Sequence, residues 1–284
     1  MRRPRRILLV ASAIACFAGI AAARASLESA LIYPGTSTQG RPDAIVTPRP
    51  GQELVHLATA DGTKIVALFG HALDGRGETL PDPGARPTVI FFYGNAACVA
   101  HMEGEFERFR RLGTNVLMPD FPGYGMSAGK PSEAGFYATA DAAYDYLLSR
   151  PDVDRDRIVA AGWSMGAAVA IDLASRRRVD RLVTISAFTT LPATAHALVP
   201  WLPTSFIVRS RFDNIGKLPR VTCPIFMAHG TIDTVVPPYM EDQLAAAAGR
   251  KVAVYRVVGG GHNDIFFVGG DRLWDAIRTS ILNN

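Results

Sequence analysis

The sequence predicts an α/β fold in which a mostly parallel sheet, opened by an antiparallel hairpin, is covered by helices on both faces. Three observations carry that prediction. Apolar runs of strand length alternate with helix-like segments along most of the chain. A Gly-x-Ser-x-Gly pentapeptide, Gly162-Trp163-Ser164-Met165-Gly166, sits at one strand-to-helix junction. An acid and a histidine, Asp233 and His262, each follow a later strand.

The elements are read in order. Residues Glu53 to Thr59 and Thr63 to Ala72 flank Asp61-Gly62, a turn signal that predicts two antiparallel strands. A strand over Thr88 to Tyr93, a helix around Gly104 to Leu112, a strand over Asn115 to Asp120 and a helix over Ser132 to Ser149 come next. Ile158 to Gly162 is a buried strand, and the alanine-rich stretch after Ser164 is built of strong helix formers. Arg181 to Ser186, Pro224 to His229 and Val252 to Val258 are further strands, with helices around Tyr239 to Ala248 and near Arg272 to Leu282. About 37 residues between Ser186 and Pro224 hold Pro192, Pro200, Pro203, Pro219 and the apolar cluster Leu198 to Pro203, a short helical insertion after the sixth strand. Such an insertion leaves a site open, with Trp201 either on a small cap or packed on the core.

Composition narrows the function classes. With 284 residues, 48% hydrophobic and 20% charged, the chain has the size of one large globular domain. The net charge of +4 invites a nucleic-acid reading, but Arg2, Arg3, Arg5, Arg6 and Arg24 lie in the first 25 residues, and the remainder carries 25 basic against 26 acidic residues. The basic signal therefore belongs to a targeting segment. Met1 to Arg6 is basic, the 17 residues Ile7 to Ala23 are uncharged, and Ala23-Arg24-Ala25 fits a small-x-small cleavage site. Residues 1–25 are expected to be a signal peptide or an N-terminal membrane anchor, and 26–284 the catalytic domain. The folded part is then exported, periplasmic or extracellular, and in the anchor alternative stays associated with the membrane through the N-terminus. Beyond the leader only Cys98 and Cys223 remain, too few for a disulfide framework and expected at opposite ends of the strands. No metal-ligand spacing is present.

In sheets of this kind the ligand crevice lies at the carboxyl ends of the strands. Ser164, Asp233 and His262 all fall there, in the chain order serine, acid, histidine. Gly162 and Gly166 are read as the places where the turn crowds its own backbone, forcing the serine into a strained conformation. The other histidines have plainer readings. His56 and His71 lie in the opening hairpin, His229 at a strand end in a structural position with the base as its alternative, His101 at a solvated helix start or on the pocket wall, and His196 is unresolved. Among acids, Asp264 reads as an early helix-turn residue, Asp213-Asn214 as a helix start, and Asp120 as an alternative to Asp233.

These stretches, together with Ser29 to Pro34, Phe92-Tyr93-Gly94-Asn95-Ala96, Asp120 to Ser127, His229 to Asp233 and Gly260 to Asp264, resemble the alpha/beta hydrolases over nearly the whole chain. Within that superfamily the chain is similar to the small membrane-anchored serine hydrolases of the alpha/beta-hydrolase-domain group. The resemblance implies the alpha/beta-hydrolase fold and a serine hydrolase needing no cofactor. It also implies a small-molecule or lipid acyl ester as substrate, since the branch includes enzymes acting on lysophospholipids and on fatty-acyl thioesters of proteins. It implies an oxyanion hole from the backbone N–H groups of Asn95 and Met165, and a structural role for Asp120 in the Gly-rich turn. One departure is visible: Tyr93-Gly94 stands where relatives usually have His-Gly. A serine peptidase and a non-catalytic interaction module on the same scaffold are the two competing functions.

Overall fold

The computed structural model describes residues 32–201, 203–249 and 252–282, so the leader expected at 1–25 lies outside the described residues. Among those described, no helix is long and apolar enough to cross a membrane. Eight strands form one sheet: β1 (Gln52–Ala58), β2 (Lys64–Gly70), β3 (Thr88–Phe92), β4 (Asn115–Pro119), β5 (Ile158–Trp163), β6 (Arg181–Ile185), β7 (Ile225–Gly230) and β8 (Val252–Val257). Their spatial order is β1-β2-β4-β3-β5-β6-β7-β8. The pairs β1–β2 and β2–β4 are antiparallel and every later pair is parallel.

Burial follows position in the sheet. Central β3 and β4 are buried at every residue because helices cover both faces, whereas β1 and β8 at the edges expose part of each strand. The covering helices are α1 (Glu103–Arg111), α2 (Glu133–Ser149), α3 (Met165–Arg176), α4 (Leu191–Leu198), α5 (Thr204–Ile207), α6 (Asn214–Lys217), α7 (Tyr239–Ala247) and α8 (Ile265–Leu282). Ser132 caps α2 by accepting the Gly135 N–H at 3.0 Å. Phe136 on that helix stacks on Phe121 at 3.9 Å and meets Tyr124 and Tyr33 edge-on. Each such ring, taken fully from water, contributes roughly 1.5–3 kcal/mol.

Strand β3 lies between β4 and β5, so successive connections from it leave in opposite directions. That switch point opens a crevice at the carboxyl ends of β3 and β5. The buried run Met165 to Ala174 of α3 presses on this part of the sheet, which its small residues allow. A Cβ added at Gly166 would lie 1.9 Å from the carbonyl oxygen of Phe92, so no larger residue fits there.

One feature differs from the sequence reading, and one that it left open is decided. The closing helix begins at Ile265, not near Arg272, and is interrupted at Gly270, whose φ of 48° and ψ of −148° break the helical path. Gly269-Gly270, poor helix formers, hide the first turns of this helix from the sequence. Trp201 does not pack on the core: it is 82% exposed on the small cap made by α4 and α5. Cys98 and Cys223 are both buried.

Candidate active site

The turn from β5 into α3 sets the geometry. Ser164 has φ 56° and ψ −116°, outside the regions ordinary residues occupy. Its N–H donates to the Ile185 carbonyl at 2.8 Å, which anchors the turn to the end of β6. A Cβ at Gly162 would meet the Gly166 carbonyl oxygen at 2.1 Å, so both glycines of the pentapeptide are imposed by crowding of the backbone with itself.

Two loops bring the other residues to the serine. After β7, Asp233 sits in a turn whose Val235 and Val236 N–H groups donate to its Oδ1 at 2.9 and 2.8 Å. After β8, the glycine run carries His262, with the Gly261 N–H donating to Asp264 Oδ1 at 2.7 Å. The loops are stitched together: the Ile232 N–H donates to the Gly260 carbonyl at 3.0 Å, and a Cβ on Gly230 would collide with that same carbonyl at 2.2 Å.

Ser164, His262 and Asp233 thereby form a continuous chain. His262 Nδ1 lies 2.7 Å from Asp233 Oδ2, and Nε2 lies 2.8 Å from Ser164 Oγ. An ionised carboxylate only accepts, so the imidazole proton resides on Nδ1 and leaves Nε2 to accept from the serine hydroxyl. Burial by itself would raise the Asp233 carboxyl, but hydrogen bonds from His229, His262 and the Val236 N–H together hold it well below the usual carboxylate range. Trp163, inside the pentapeptide, tilts its ring against the His262 imidazole at 5.8 Å and limits its swing.

The loop after β3 faces this chain. Met165 is the first residue of α3, so its N–H has no acceptor within the helix. Asn95 and Met165 both line the crevice beside Ser164. The Asn95 side chain is turned away, donating to the Ile32 carbonyl and accepting from Tyr124 OH at 2.7 Å. Tyr93 is fully buried and donates to Asp120 Oδ1 at 2.9 Å, while its oxygen accepts the Phe121 N–H at 3.2 Å. Asp120 also accepts the Val99 and Met126 N–H groups, both at 2.8 Å. Burial pushes its carboxyl up to about 6 against those donors. Asp120 thus organises the Gly-rich turn and lies in a different hydrogen-bond network from His262.

Above the serine is a cavity of about 470 Å3 whose walls are mostly apolar. Phe188, Leu191, Ala195, Ile207 and Val208 from the cap, Ile32 from the first described residue, and Val235 and Val236 from the Asp233 turn contribute to it. Phe188, Leu191, Ala195, Ile207 and Val208 were not singled out in the sequence, because apolar residues in a proline-rich insertion carry no motif.

The remaining sequence candidates fall elsewhere. His56, His101 and His196 are exposed, and none of them lines the cavity. His71 is half-buried with Nε2 3.6 Å from Asp152. Asp213 caps α6 by accepting the Gly216 N–H at 3.1 Å. Among the described residues no group of three or more histidine, cysteine or acidic side chains is arranged to hold a metal ion.

The comparisons with known proteins agree with this geometry in kind. Residues 83–215 match the model of an alpha/beta hydrolase family. An uncharacterized protein of Mycobacterium tuberculosis is 33% identical over 98% of this chain and 95% of its own length. The alpha/beta hydrolase domain-containing protein WAV2 of Arabidopsis thaliana is 31% identical over 78% of this chain and 76% of its own. Among solved structures, the Pyrococcus furiosus esterase Pf2001 superposes with a TM-score of 0.66 at 22% identity, covering 84% of this chain and 96% of that one. A puromycin-hydrolyzing peptidase of Mycobacterium tuberculosis superposes at 0.67 with 18% identity, over 82% of this chain and 40% of that one. At such identities the likeness of the two structures is one of fold. A sheet of this order with a strained serine at the β5 turn, and a relative sharing nearly a third of its residues over most of both chains, place the protein: it belongs to the alpha/beta hydrolase family.

Proposed function

We propose that this hydrolase cleaves carboxylic esters or thioesters through an acyl-enzyme on Ser164. The observation that carries the reading is the unbroken chain Ser164 Oγ, His262, Asp233, with contacts of 2.8 and 2.7 Å at the foot of an apolar cavity. Ser164 Oγ attacks the acyl carbon while its proton passes to His262 Nε2. Asp233 holds the imidazole in its tautomer and stabilises the cation. The carbonyl oxygen, as it becomes negative, accepts from the backbone N–H groups of Asn95 and Met165. His262 then returns the proton to the leaving alcohol or thiol, and a water deprotonated by the same imidazole releases the acid. An acyl chain suits the cavity because its walls offer dispersion and few polar partners.

Ser164→Ala tests the assignment. The variant is expected to fold and to lose all labelling by a fluorophosphonate probe, and labelling equal to wild type would remove Ser164 from the mechanism. A set of p-nitrophenyl esters graded by chain length, run beside a palmitoyl thioester, ranks the acyl groups. The peptidase reading draws on the superposition with the puromycin-hydrolyzing peptidase, which spans only 40% of that chain. Hydrolysis of aminoacyl-nitroanilides without hydrolysis of esters would put it first. Export, with residues 1–25 acting as signal or anchor, is part of the same proposal. It is supported by the basic start and the 17 uncharged residues that follow, and is checked by fractionating cells that express the full chain.

A further inference from the structure

His229 is fully buried at the end of β7, four residues before the acid of the triad proposed above. A buried histidine in a strand is ordinarily a space-filling residue with one satisfied nitrogen. Here the satisfied nitrogen points into the turn that presents Asp233. His229 Nε2 lies 2.9 Å from the Val236 carbonyl oxygen and 3.3 Å from Asp233 Oδ2. A carbonyl oxygen only accepts, so Nε2 carries the proton and donates into that turn.

The acid is consequently gripped on both oxygens. Oδ1 takes the two backbone N–H groups of Val235 and Val236, and Oδ2 is shared between His262 and His229. One imidazole bonded to Oδ2 and a second lying 3.3 Å from it, with its N–H on the Val236 carbonyl, hold the carboxylate and its turn in one setting. Losing the His229 donor would leave the Val236 carbonyl without that partner and loosen the turn whose N–H groups hold Oδ1. A hydrocarbon of equal volume would fill the space and do neither job.

The other ring nitrogen, Nδ1, has no hydrogen-bond partner and faces Glu241 Oε1 at 3.9 Å. Glu241 is 1% exposed, and its second carboxylate oxygen pairs with Arg256 on β8. The ring is therefore wedged between a fixed carboxylate from α7 and the Asp233 turn, so it cannot swing its donor away.

We propose that His229 is a positioning residue, whose Nε2–H sets the Asp233 carboxylate so that Oδ2 stays in bonding contact with His262. The role rests on the triad reading, and it goes beyond that reading by adding a fourth side chain that touches neither substrate nor Ser164.

The test compares His229→Gln, His229→Asn and His229→Leu in the full chain, with p-nitrophenyl butyrate as substrate. A glutamine amide reaches the place of Nε2 and an asparagine amide that of Nδ1, so only the first restores the donor. With melting followed in parallel, His229→Leu and His229→Asn are expected to lose about 10- to 100-fold in kcat, the size of effect seen when a partner that orients a reacting group is removed. KM should be unchanged, and His229→Gln should recover most of kcat. Equal kcat in the Gln and Asn variants, both melting cooperatively, would overturn the role even if the Leu variant fails to fold. A loss confined to KM would overturn it as well. Wild-type protein that neither turns over esters nor takes up the fluorophosphonate would remove the triad reading and this role together. A fully active wild type with an undiminished Asn variant would remove only this role.

Discussion

Replacing Ser164 by glycine should make the protein more stable than replacing it by alanine, although both changes end the proposed chemistry. Ser164 holds φ 56° with ψ −116°, a setting that carries a cost of about 1–3 kcal/mol for a residue with a Cβ. Alanine keeps the Cβ and therefore the strain; glycine removes both. Against that gain stands the larger unfolded-state entropy of glycine, roughly 0.4–1 kcal/mol. The hydroxyl contact to His262 is lost in both variants and cancels from the comparison. The difference left is about 1 kcal/mol in favour of Ser164→Gly, or roughly 2–4 °C in melting temperature for a domain of this size. Calorimetric melts of the two variants, with urea unfolding as a second measure, read it directly. An alanine variant as stable as the glycine variant would show that the turn stores no strain, and the argument from backbone geometry would fail.

Tyr93→Phe removes the donor to Asp120 and the acceptor for the Phe121 N–H, which should lower stability by about 1–3 kcal/mol in urea while fluorophosphonate labelling of Ser164 persists. Ala195→Trp fills the cavity from α4, and kcat/KM for long-chain p-nitrophenyl esters should fall about 10-fold relative to the acetate ester; an unchanged ratio would place the acyl chain elsewhere. Burial pushes the Glu241 carboxyl up to about 7 from an ordinary 4.5, so the folded state holds that proton more tightly than the unfolded chain. Its contribution is then full below the unfolded value and is lost as pH rises through about 7, so stability should decline between pH 5 and 8, by up to roughly 3 kcal/mol from this group. Glu241→Gln should flatten that decline, and parallel slopes in urea titrations would refute it. Asp233 has the opposite sign: held below the usual range, it adds stability above about 3.9 that disappears as pH falls from there through its folded value.

Strands and helices were legible because alternating apolar runs and turn signals are local properties. The spatial order was not, since β4 lies outside β3 although it follows it in the chain, and no residue in either strand records its neighbour. Ser164, Asp233 and His262 were legible as a set because each stands just past a strand, and the carboxyl ends of parallel strands meet at one edge. The pentapeptide's glycines were legible for a related reason, as the turn can close only without side chains. An open site beside the serine was legible from the short insertion, but most of the residues that line it were not. Phe188, Ala195 and Val208 look like ordinary core residues, and only the path of the cap turns them toward the serine. The contact of Tyr124 with Asn95 was hidden too, because it joins two loops 29 residues apart. His229 read as structural in the sequence, since the feature that sets it apart is the direction of one N–H.

Ile32, where the described chain begins, forms part of the cavity wall, and its carbonyl is held by Asn95. Leu282, at the other end, lies with Pro87 and Arg157 beside the starts of β3 and β5. Ile32 and Leu282 therefore lie at opposite rims of the sheet. For anyone handling the protein this sets a rule of orientation: a dye attached at Ile32 stands beside the cavity proposed to take the acyl group, and one attached at Leu282 stands at the far rim of the sheet.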